Sequence, residues 1–171
     1  MKSPVNTHEP LLFLDVDGVI SLFGFDPDER PAGTFHPIDG IPHYLSATVG
    51  EHLRLLAGHF ELVWCTGWEA KANEYLPAAL GIPGPLEHLT FEEANPGGEG
   101  RHWKLAAIER YAGPHRPLAW IDDDHRGCEA WAQARPGPTL LVTARPDVGL
   151  TGAEAERLID WARGLQAARR R

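Results

Sequence analysis

The sequence contains few cysteines and no long apolar stretch. Its two cysteines, Cys65 and Cys128, form no CxxC pair and cannot build a disulfide framework, which indicates the reducing environment of the cytoplasm. No apolar run approaches the ~20 residues that a membrane-spanning helix needs, and the first ten residues lack the apolar core of a secretion signal. These absences predict a cytoplasmic protein that has no membrane partner.

Positive charge is scarce as well. The chain carries 16 Lys and Arg against 24 Asp and Glu, so its formal net charge is −8. An acidic chain argues against broad binding along a nucleic-acid backbone, which requires a basic face. It does not exclude a small anionic substrate, because a bound divalent cation can reverse the local field. The positions of the acidic residues therefore decide which partners the chain can take.

The length and composition predict a single folded domain. The 171 residues are 43% hydrophobic and 23% charged, close to the averages of globular proteins, which excludes a disordered or fibrous chain. We expect residues 1–10 to form a flexible N-terminus and residues 11–166 to form the domain. Residues 167–171, which are rich in arginine, are expected to be a solvated basic tail rather than a tether for nucleic acid.

Apolar strands alternate with helical segments along the chain. Short apolar runs predict five strands, which span 11–16, 60–65, 86–91, 118–122 and 139–142. Capping-box spacing at Thr48 and Thr151 predicts two helix starts, and Pro77 is expected to interrupt or kink the helix that contains it. This alternation predicts an α/β fold, a three-layer sandwich around a five-stranded parallel, Rossmann-like sheet.

Polar residues follow three of these strands at the point where each strand ends. The first strand leads into Asp15, Asp17 and Gly18, the second into Thr66 and Gly67, and the fourth into Asp122, Asp123 and Asp124. Because ligands bind beyond the carboxyl ends of parallel strands, we expect these side chains to meet at one edge of the sheet. Carboxylates this close repel unless protons or a cation offset their charge, and an all-oxygen site with room for water suits Mg²⁺.

Each of these motifs taken alone has an ordinary structural explanation. Asp and Gly are common in turns, a run of Asp is more often a solvated turn than a metal site, and a single lysine such as Lys104 is usually on the surface. A calcium-binding EF-hand loop is excluded, because its fifth position would be Val19 and its twelfth Asp26. The order of the motifs favours a functional site: an acidic strand end, a threonine, a lysine that opens a helix, and a second acidic strand end.

The same motifs resemble those of a known family. The strings LLFLDVDGVI, LVWCTGW and LAWIDDD, with Lys104 in HWKL between the last two, match in order the four motifs of the haloacid dehalogenase-like (HAD) phosphatase superfamily. The resemblance covers residues 11–142. The WxTxW pattern around Thr66, the pair Ala72-Asn73, the PLAWIDDD string and Gly149-Leu150-Thr151 are similar to a narrower subgroup, related to the HAD domains of multifunctional RNA-repair proteins.

The resemblance implies a role for each motif residue. Asp15 is expected to attack the phosphorus atom and form an aspartyl-phosphate, and Asp17 to act as general acid and base. Thr66 is expected to hydrogen-bond a phosphoryl oxygen, and Lys104 to pair with the phosphate and the nucleophile. Mg²⁺ is the implied cofactor. Its expected ligands are Asp15, the backbone carbonyl of Asp17, and Asp123, with Asp122 as a further ligand or as a support for one.

The resemblance and the segment lengths together indicate an activity. HAD members that hydrolyse phosphates carry the second acid, here Asp17, whereas dehalogenases lack it in that role, so a phosphatase is favoured. The segment from Ser21 to Ala47 spans 27 residues, enough for a hairpin flap, which predicts a minimal cap and an open site. The expected substrate is a small phosphorylated metabolite or nucleotide. It is expected to contact the residues that flank the motifs, Gly18, Gly67, Trp68, His102 and Trp103.

Two other functions stay open at this point. The resemblance to RNA-repair domains suggests a polynucleotide end phosphatase, against which the acidic composition counts. The second is a HAD-like module that binds metal without turnover, although the nucleophile, acid and metal positions are all present. For Trp68 and Trp103 two positions are also open: each could be buried in the core or lie at the mouth of the site.

Overall fold

A computed structural model describes residues 9–91 and 100–171 of the chain. The expected flexible N-terminus, residues 1–10, therefore lies outside the described residues except for its last two positions. In the described ranges, no helix combines the length and the apolar character that crossing a bilayer requires.

The centre of the fold is a five-stranded parallel sheet, which confirms the fold that the sequence predicts. The strands of the described chain are β1 (Leu11–Leu14), β2 (Ser21–Leu22), β3 (Gly33–Ile38), β4 (Ile41–Ser46), β5 (Glu61–Trp64), β6 (Glu87–His88), β7 (Leu118–Asp122) and β8 (Thr139–Thr143). The central sheet has the order β6-β5-β1-β7-β8. Leu11 of β1 lies opposite Glu61 of β5 on one side and Leu118 of β7 on the other. β1 is therefore the middle strand.

Helices cover both faces of this sheet. The α-helices in the described ranges are α1 (Val49–Leu56), α2 (Ala72–Leu80), α3 (Leu105–Ala112), α4 (Glu129–Ala134) and α5 (Gly152–Arg169), and short 3₁₀-helices span Pro27–Glu29 and Glu69–Lys71. Leu12 and Leu14 of β1 belong to the apolar cluster beneath α1, α2 and α5, whereas Leu11 and Phe13 belong to the cluster beneath α3 and α4. Because successive side chains of a strand point to opposite faces, the apolar run of β1 is buried on both sides.

The details of the elements agree with the sequence at some positions and differ at others. Thr151 and Glu154 form the expected capping box of α5. Thr48 makes no side-chain capping bond at α1, so the capping box predicted there is wrong. The backbone of Thr48 is already helical (φ −105°, ψ −13°), whereas a capping side chain needs extended backbone. The predicted strand 86–91 forms pairs only at Glu87–His88.

Pro77 lies inside α2, and the helix continues through it. Of the two expected effects of this proline, the interruption does not occur, and the kink stays a prediction. Leu76 and Leu80, on either side of Pro77, are buried in the core beneath the sheet. Their burial compensates for the backbone hydrogen bond that proline cannot donate.

A second, antiparallel sheet follows β1 and forms the predicted flap. Its order is β2-β4-β3, and β3 and β4 are joined by the two-residue turn Asp39-Gly40. The φ angles of Asp39 and Gly40 are 51° and 77°, the left-handed values that a tight hairpin turn of this kind needs. The flap thus leaves the sheet directly after the end of β1.

Both cysteines are buried thiols. Burial raises the pKa of Cys65 above its usual range and that of Cys128 to about 11. Both therefore stay protonated near neutral pH and pack as small apolar side chains, as the sequence suggests.

Candidate active site

The carboxyl ends of β1, β5 and β7 meet at one edge of the central sheet. Asp15 follows β1 directly, Thr66 follows β5 by two positions, and Asp122 is the last residue of β7. The backbone N–H of Asp15 donates to the carbonyl of Ile121 at 3.1 Å, and that of Cys65 donates to the carbonyl of Leu14 at 2.7 Å. Hydrogen bonds between the strands therefore fix the positions of these residues relative to one another.

Three carboxylates converge at this edge. One oxygen from each of Asp15, Asp122 and Asp123 lies within 4.8 Å of the other two. Asp15 and Asp122 are buried, whereas Asp123 is partly exposed. The motifs after β1 and β7 thus form one cluster, as their positions at neighbouring strand ends predict.

Lys104 supplies a positive charge to this cluster. It directly precedes α3, is 3% exposed, and its Nζ lies 2.9 Å from Asp15 Oδ1 and 2.6 Å from Asp122 Oδ2. Burial alone opposes the charge of Lys104, but the nearby carboxylates outweigh it, and the pKa of Lys104 is raised above its usual value. Lys104 is therefore a permanent cation that bridges two acids.

The cluster still holds more negative charge than Lys104 can offset. Burial raises the pKa of Asp15 to about 7; Lys104 opposes this rise, and the charge of Asp122 adds to it. Burial, together with a hydrogen bond to Asp122 and the charge of Asp122, raises the pKa of Asp123 to about 6. Carboxylates that are hard to ionise together gain stability from an added cation. The all-oxygen donor set fits a hard divalent ion such as Mg²⁺.

The two acids of the β7 motif differ in their hydrogen bonds. Asp122 Oδ2 accepts from Lys104 Nζ and from the indole N–H of Trp120, at 2.6 and 3.2 Å. Asp122 Oδ1 accepts from the backbone N–H of Asp124 at 3.2 Å. Because both oxygens of Asp122 already accept hydrogen bonds from the protein, Asp122 is suited to orient Lys104. Asp123, which is more exposed, suits a ligand position.

Gly18 allows the chain after β1 to pass close to Asp123. Its φ angle is +83°, a left-handed value that favours glycine. A Cβ atom at Gly18 would lie 2.7 Å from Asp123 Oδ2 and 2.8 Å from Asp123 Cβ. Glycine is therefore needed here for two reasons, the backbone conformation and the space that Asp123 occupies.

Asp17 lies at the mouth of the site rather than in the buried cluster. Its side chain is 54% exposed, and its Oδ2 accepts the indole N–H of Trp68 at 3.0 Å. His43 Nδ1, on the flap, lies 4.0 Å from Asp17 Oδ1 and 3.0 Å from Ser21 Oγ. Trp68 is thus at the mouth, where it contacts the expected general acid.

Thr66 and Gly67 lie between the end of β5 and Trp68. Thr66 is buried; its Oγ1 accepts the backbone N–H of Trp68 at 3.3 Å, and its carbonyl accepts that of Glu69 at 3.0 Å. A Cβ atom at Gly67 would lie 3.9 Å from the ring of Trp103. Trp103 is 47% exposed, and Lys104 Nζ lies 5.2 Å from the centre of its ring. Trp103 therefore also borders the entrance.

His102 connects the segment that carries Lys104 to the acidic run. His102 Nδ1 accepts the backbone N–H of Lys104 at 3.2 Å, so Nε2 carries the proton and donates to the carbonyl of Asp124 at 3.1 Å. Burial lowers the pKa of His102, which favours this neutral form. Both ring nitrogens thus have protein partners, and the expected contact of His102 with substrate stays a prediction.

Asn73, for which no role was predicted, joins α2 to β5 and to Leu86. Asn73 Oδ1 accepts the indole N–H of Trp64 at 2.9 Å and the backbone N–H of Leu86 at 2.9 Å. Asn73 Nδ2 donates to the carbonyl of Leu86 at 2.8 Å. The buried Trp64 offered a signal for this contact, because a buried indole N–H requires a partner. Asn73 fixes α2 to the end of β5, two residues before Thr66.

Solved structures of similar length resemble this chain at low sequence identity. One is a hypothetical protein from Xanthomonas campestris, 16% identical, with 96% of this chain and 93% of that chain covered and a TM-score of 0.47. Another is a protein from Vibrio cholerae whose proposed activity is that of a 3-deoxy-D-manno-octulosonate 8-phosphate phosphatase. It is 20% identical, with 92% of this chain and 87% of that chain covered and a TM-score of 0.43. No curated protein matches the sequence.

A family model matches most of the chain. The model is described as the HAD domain in Swiss Army Knife RNA repair proteins, and it matches residues 11–155. This span begins at β1 and reaches the first turn of α5, so it contains every strand of both sheets. It also contains the three converging carboxylates and Lys104. The chain therefore belongs to the family of HAD domains found in Swiss Army Knife RNA repair proteins.

Proposed function

We propose that the protein is a Mg²⁺-dependent phosphomonoester hydrolase that forms an aspartyl-phosphate on Asp15. The observation that carries this proposal is the convergence of Asp15, Asp122 and Asp123 around Lys104 at the ends of β1 and β7. A nucleophile, a buried cation and an oxygen-rich site for a divalent ion thus lie next to one another. Membership of a HAD family supports the same activity.

The proposed reaction has two steps, and each step forms one phosphorus–oxygen bond and breaks another. A carboxylate oxygen of Asp15 attacks the phosphorus atom in line as the bond to the alcohol breaks, and Asp17 gives its proton to the departing oxygen. Asp17 then takes a proton from a water molecule. This water attacks the phosphorus atom, the bond to Asp15 breaks, and inorganic phosphate leaves. Asp15 and Asp17 return to their starting states.

Other residues bind and orient the groups that react. Lys104 Nζ holds Asp15 Oδ1, so the second oxygen of Asp15 is the one that we expect to attack. The hydroxyl of Thr66 and the backbone beyond it are expected to hydrogen-bond the phosphoryl oxygens. Asp15, Asp123, the carbonyl of Asp17, and Asp122 in direct or supporting contact, would hold Mg²⁺. When bound, the ion offsets the negative charges of Asp15 and of the phosphoryl group.

The proposal is tested by a panel of phosphate monoesters, with Mg²⁺ and with a chelator. We expect inorganic phosphate to be released only when Mg²⁺ is present, and the melting temperature to rise on addition of Mg²⁺. An increase in melting temperature without turnover of any ester would instead support a module that binds metal and has no activity. Turnover that is unchanged by the chelator would contradict the metal requirement.

A second candidate function is that of a polynucleotide end phosphatase. The family description, which refers to RNA repair, is the observation that favours it. The same panel therefore includes oligonucleotides with a 3′- or a 5′-phosphate. A kcat/KM for these ends at least about tenfold above that for mononucleotides would favour the second candidate over a small substrate.

Gly18→Ala is expected to weaken Mg²⁺ binding by about tenfold or more, because the new methyl group would displace the carboxylate of Asp123. The left-handed backbone adds a strain of roughly 1–2 kcal/mol. Gly24→Ala is the matched control, since Gly24 has φ +75° and nothing within 4 Å of the added Cβ. Both variants should lose stability in chemical denaturation, but only Gly18→Ala should change the Mg²⁺ titration. Equal titrations would show that Asp123 is not needed for the ion.

Trp68→Phe is expected to impair proton transfer, because it removes the N–H that holds Asp17 and keeps an aromatic ring in place. Hydrolysis of an alkyl phosphate should slow about tenfold, whereas p-nitrophenyl phosphate, whose leaving group needs no proton, should be affected much less. Trp131→Phe, which loses a 2.9 Å indole bond to Glu109 on α3, is the control. If Trp68→Phe slows both esters equally, Trp68 does not act through Asp17.

A further inference from the structure

A cleft of about 360 Å³ opens between the flap and the segment that follows β5. Its lining includes Ile38, Ile41 and His43 from the flap, Trp68 and Lys71 from the other side, and Asp17. Asp17 is the residue that the cleft shares with the proposed reaction. The cleft is therefore next to the reacting groups.

The position of Asp17 indicates which part of a substrate enters the cleft. A general acid must come within hydrogen-bond distance of the oxygen that it protonates, so the leaving alcohol must lie beside Asp17. Asp15, in contrast, is buried at the end of β1 and is held by Lys104. A phosphoryl group that faces Asp15 while its ester oxygen meets Asp17 directs the rest of the alcohol toward the flap.

The charged groups in the cleft have partners within the protein. Lys71 forms an ion pair with Asp39, and the hydroxyl of Tyr75 donates to the same carboxylate at 2.9 Å. Over the residues that the structure describes, the lining therefore offers no unpaired cation to a second anionic group of the substrate. A second phosphate near the alcohol would therefore lose water contacts there without gaining a cation as partner.

Most of the remaining lining is apolar or aromatic. Ile41 is 60% exposed, at the start of the flap strand β4. The rings of His43 and Trp68 pack edge to face, with their centres 4.7 Å apart and an angle of 66°. A flat apolar group placed against Ile41 and these rings would remove apolar surface from water. The cleft volume is near the lower end of the range for small-molecule sites, roughly 300–1,000 Å³.

We propose that this cleft binds the leaving group of the substrate and selects an uncharged alcohol with a flat apolar face, such as a nucleoside. The inference rests on the proposed phosphatase function. It disfavours a nucleic-acid chain as substrate, because each further nucleotide adds a phosphate close to the alcohol. It also disfavours small hydrophilic alcohols such as glycerol, which have no flat face to cover Ile41.

Three esters test this selection with Mg²⁺ present: adenosine 5′-monophosphate, adenosine 3′,5′-bisphosphate and glycerol 3-phosphate. We expect kcat/KM for release of the 5′-phosphate to be at least about tenfold higher for the monophosphate than for the bisphosphate. Glycerol 3-phosphate should also be at least about tenfold poorer. Equal values for the two adenosine esters, or for the monophosphate and the glycerol ester, would overturn the inference.

A pair of variants tests the position of the subsite. Ile41→Ser should raise KM for adenosine 5′-monophosphate about tenfold, and should raise KM for glycerol 3-phosphate much less. The control is Leu55→Ser, since Leu55 is 55% exposed on α1 and does not line the cleft. An unchanged KM in Ile41→Ser would exclude the cleft as the subsite. If the unaltered protein hydrolyses none of the esters, both the proposed function and the cleft inference fail. If it hydrolyses all three without preference, only the cleft inference is overturned.

Discussion

Asp15→Asn is expected to lower the rate of phosphate release from the best ester by at least about 1,000-fold, because removal of a catalytic nucleophile has effects of this size or larger. Asn has nearly the same shape as Asp, but its amide does not attack phosphorus, so no aspartyl-phosphate forms. The measurement is the release of inorganic phosphate with saturating Mg²⁺. Rates within tenfold of the unaltered protein would exclude Asp15 as the nucleophile.

Asp124→Asn is the control for this substitution, since it makes the same chemical change in the acidic run after β7. Asp124 pairs with the exposed guanidinium of Arg126 at 2.7 Å and is not one of the three converging acids. We expect its turnover to stay within about threefold of the unaltered protein. A large loss here would mean that the rate depends on the whole acidic run and not on the nucleophile.

Asp15→Asn should also change how stability depends on pH in the metal-free protein. The pKa of Asp15 rises from 3.8 to about 7 in the folded state. A raised carboxyl pKa contributes stability below the unfolded value, and this contribution is lost as pH rises through the folded value. Asn does not titrate. Between pH 4 and pH 8, the melting temperature of the unaltered protein should therefore fall relative to that of the variant. If the melting temperatures of the two proteins changed with pH in parallel, the raised pKa of Asp15 would be contradicted.

Lys104→Met is expected to destabilise the protein by about 3–5 kcal/mol at pH 8, because it leaves the buried carboxylates of Asp15 and Asp122 without their cation. Met keeps most of the length of Lys, so the loss reflects charge more than packing. The effect should shrink at pH 5, where Asp15 takes up a proton. Chemical denaturation at both pH values measures it, and turnover should fall as well.

Lys71→Met provides the matched comparison, since Lys71 also pairs with an aspartate but on the surface. The side chains of Lys71 and Asp39 are 46% and 44% exposed. Exposed ion pairs contribute roughly 0–1 kcal/mol, so this variant should lose less than about 1 kcal/mol. If the two substitutions cost the same free energy of unfolding, Lys104 does not compensate buried charge.

Much of the site could be predicted because its residues stand at the ends of strands that are easy to recognise. The apolar runs before Asp15 and Asp122 indicate buried parallel strands, and such strands place their carboxyl ends at one edge. The predicted strand 118–122 agrees in full with β7. The pairing of Lys104 with Asp15 was implied only by the family resemblance, and its pairing with Asp122 was not predicted, because nothing local to HWKL determines what the lysine contacts.

The contacts that were not predicted join residues far apart in sequence. Trp68 meets Asp17 across the entrance, and Gly18 makes space for Asp123. Apolar periodicity describes one element at a time and contains no information about such pairs. At Thr48 the spacing suited a capping box, but the backbone that enters α1 is already helical. The surrounding structure, rather than the local residues, decided that helix end.

The central place of β1 has a consequence for the synthesis of the protein. Leu11 pairs with Glu61 and with Leu118, so β1 leaves the ribosome long before its second neighbour has been made. During that interval one edge of a wholly apolar strand has no partner, which is the condition under which nascent chains aggregate. Translation speed and chaperone supply should therefore affect the soluble yield of this protein.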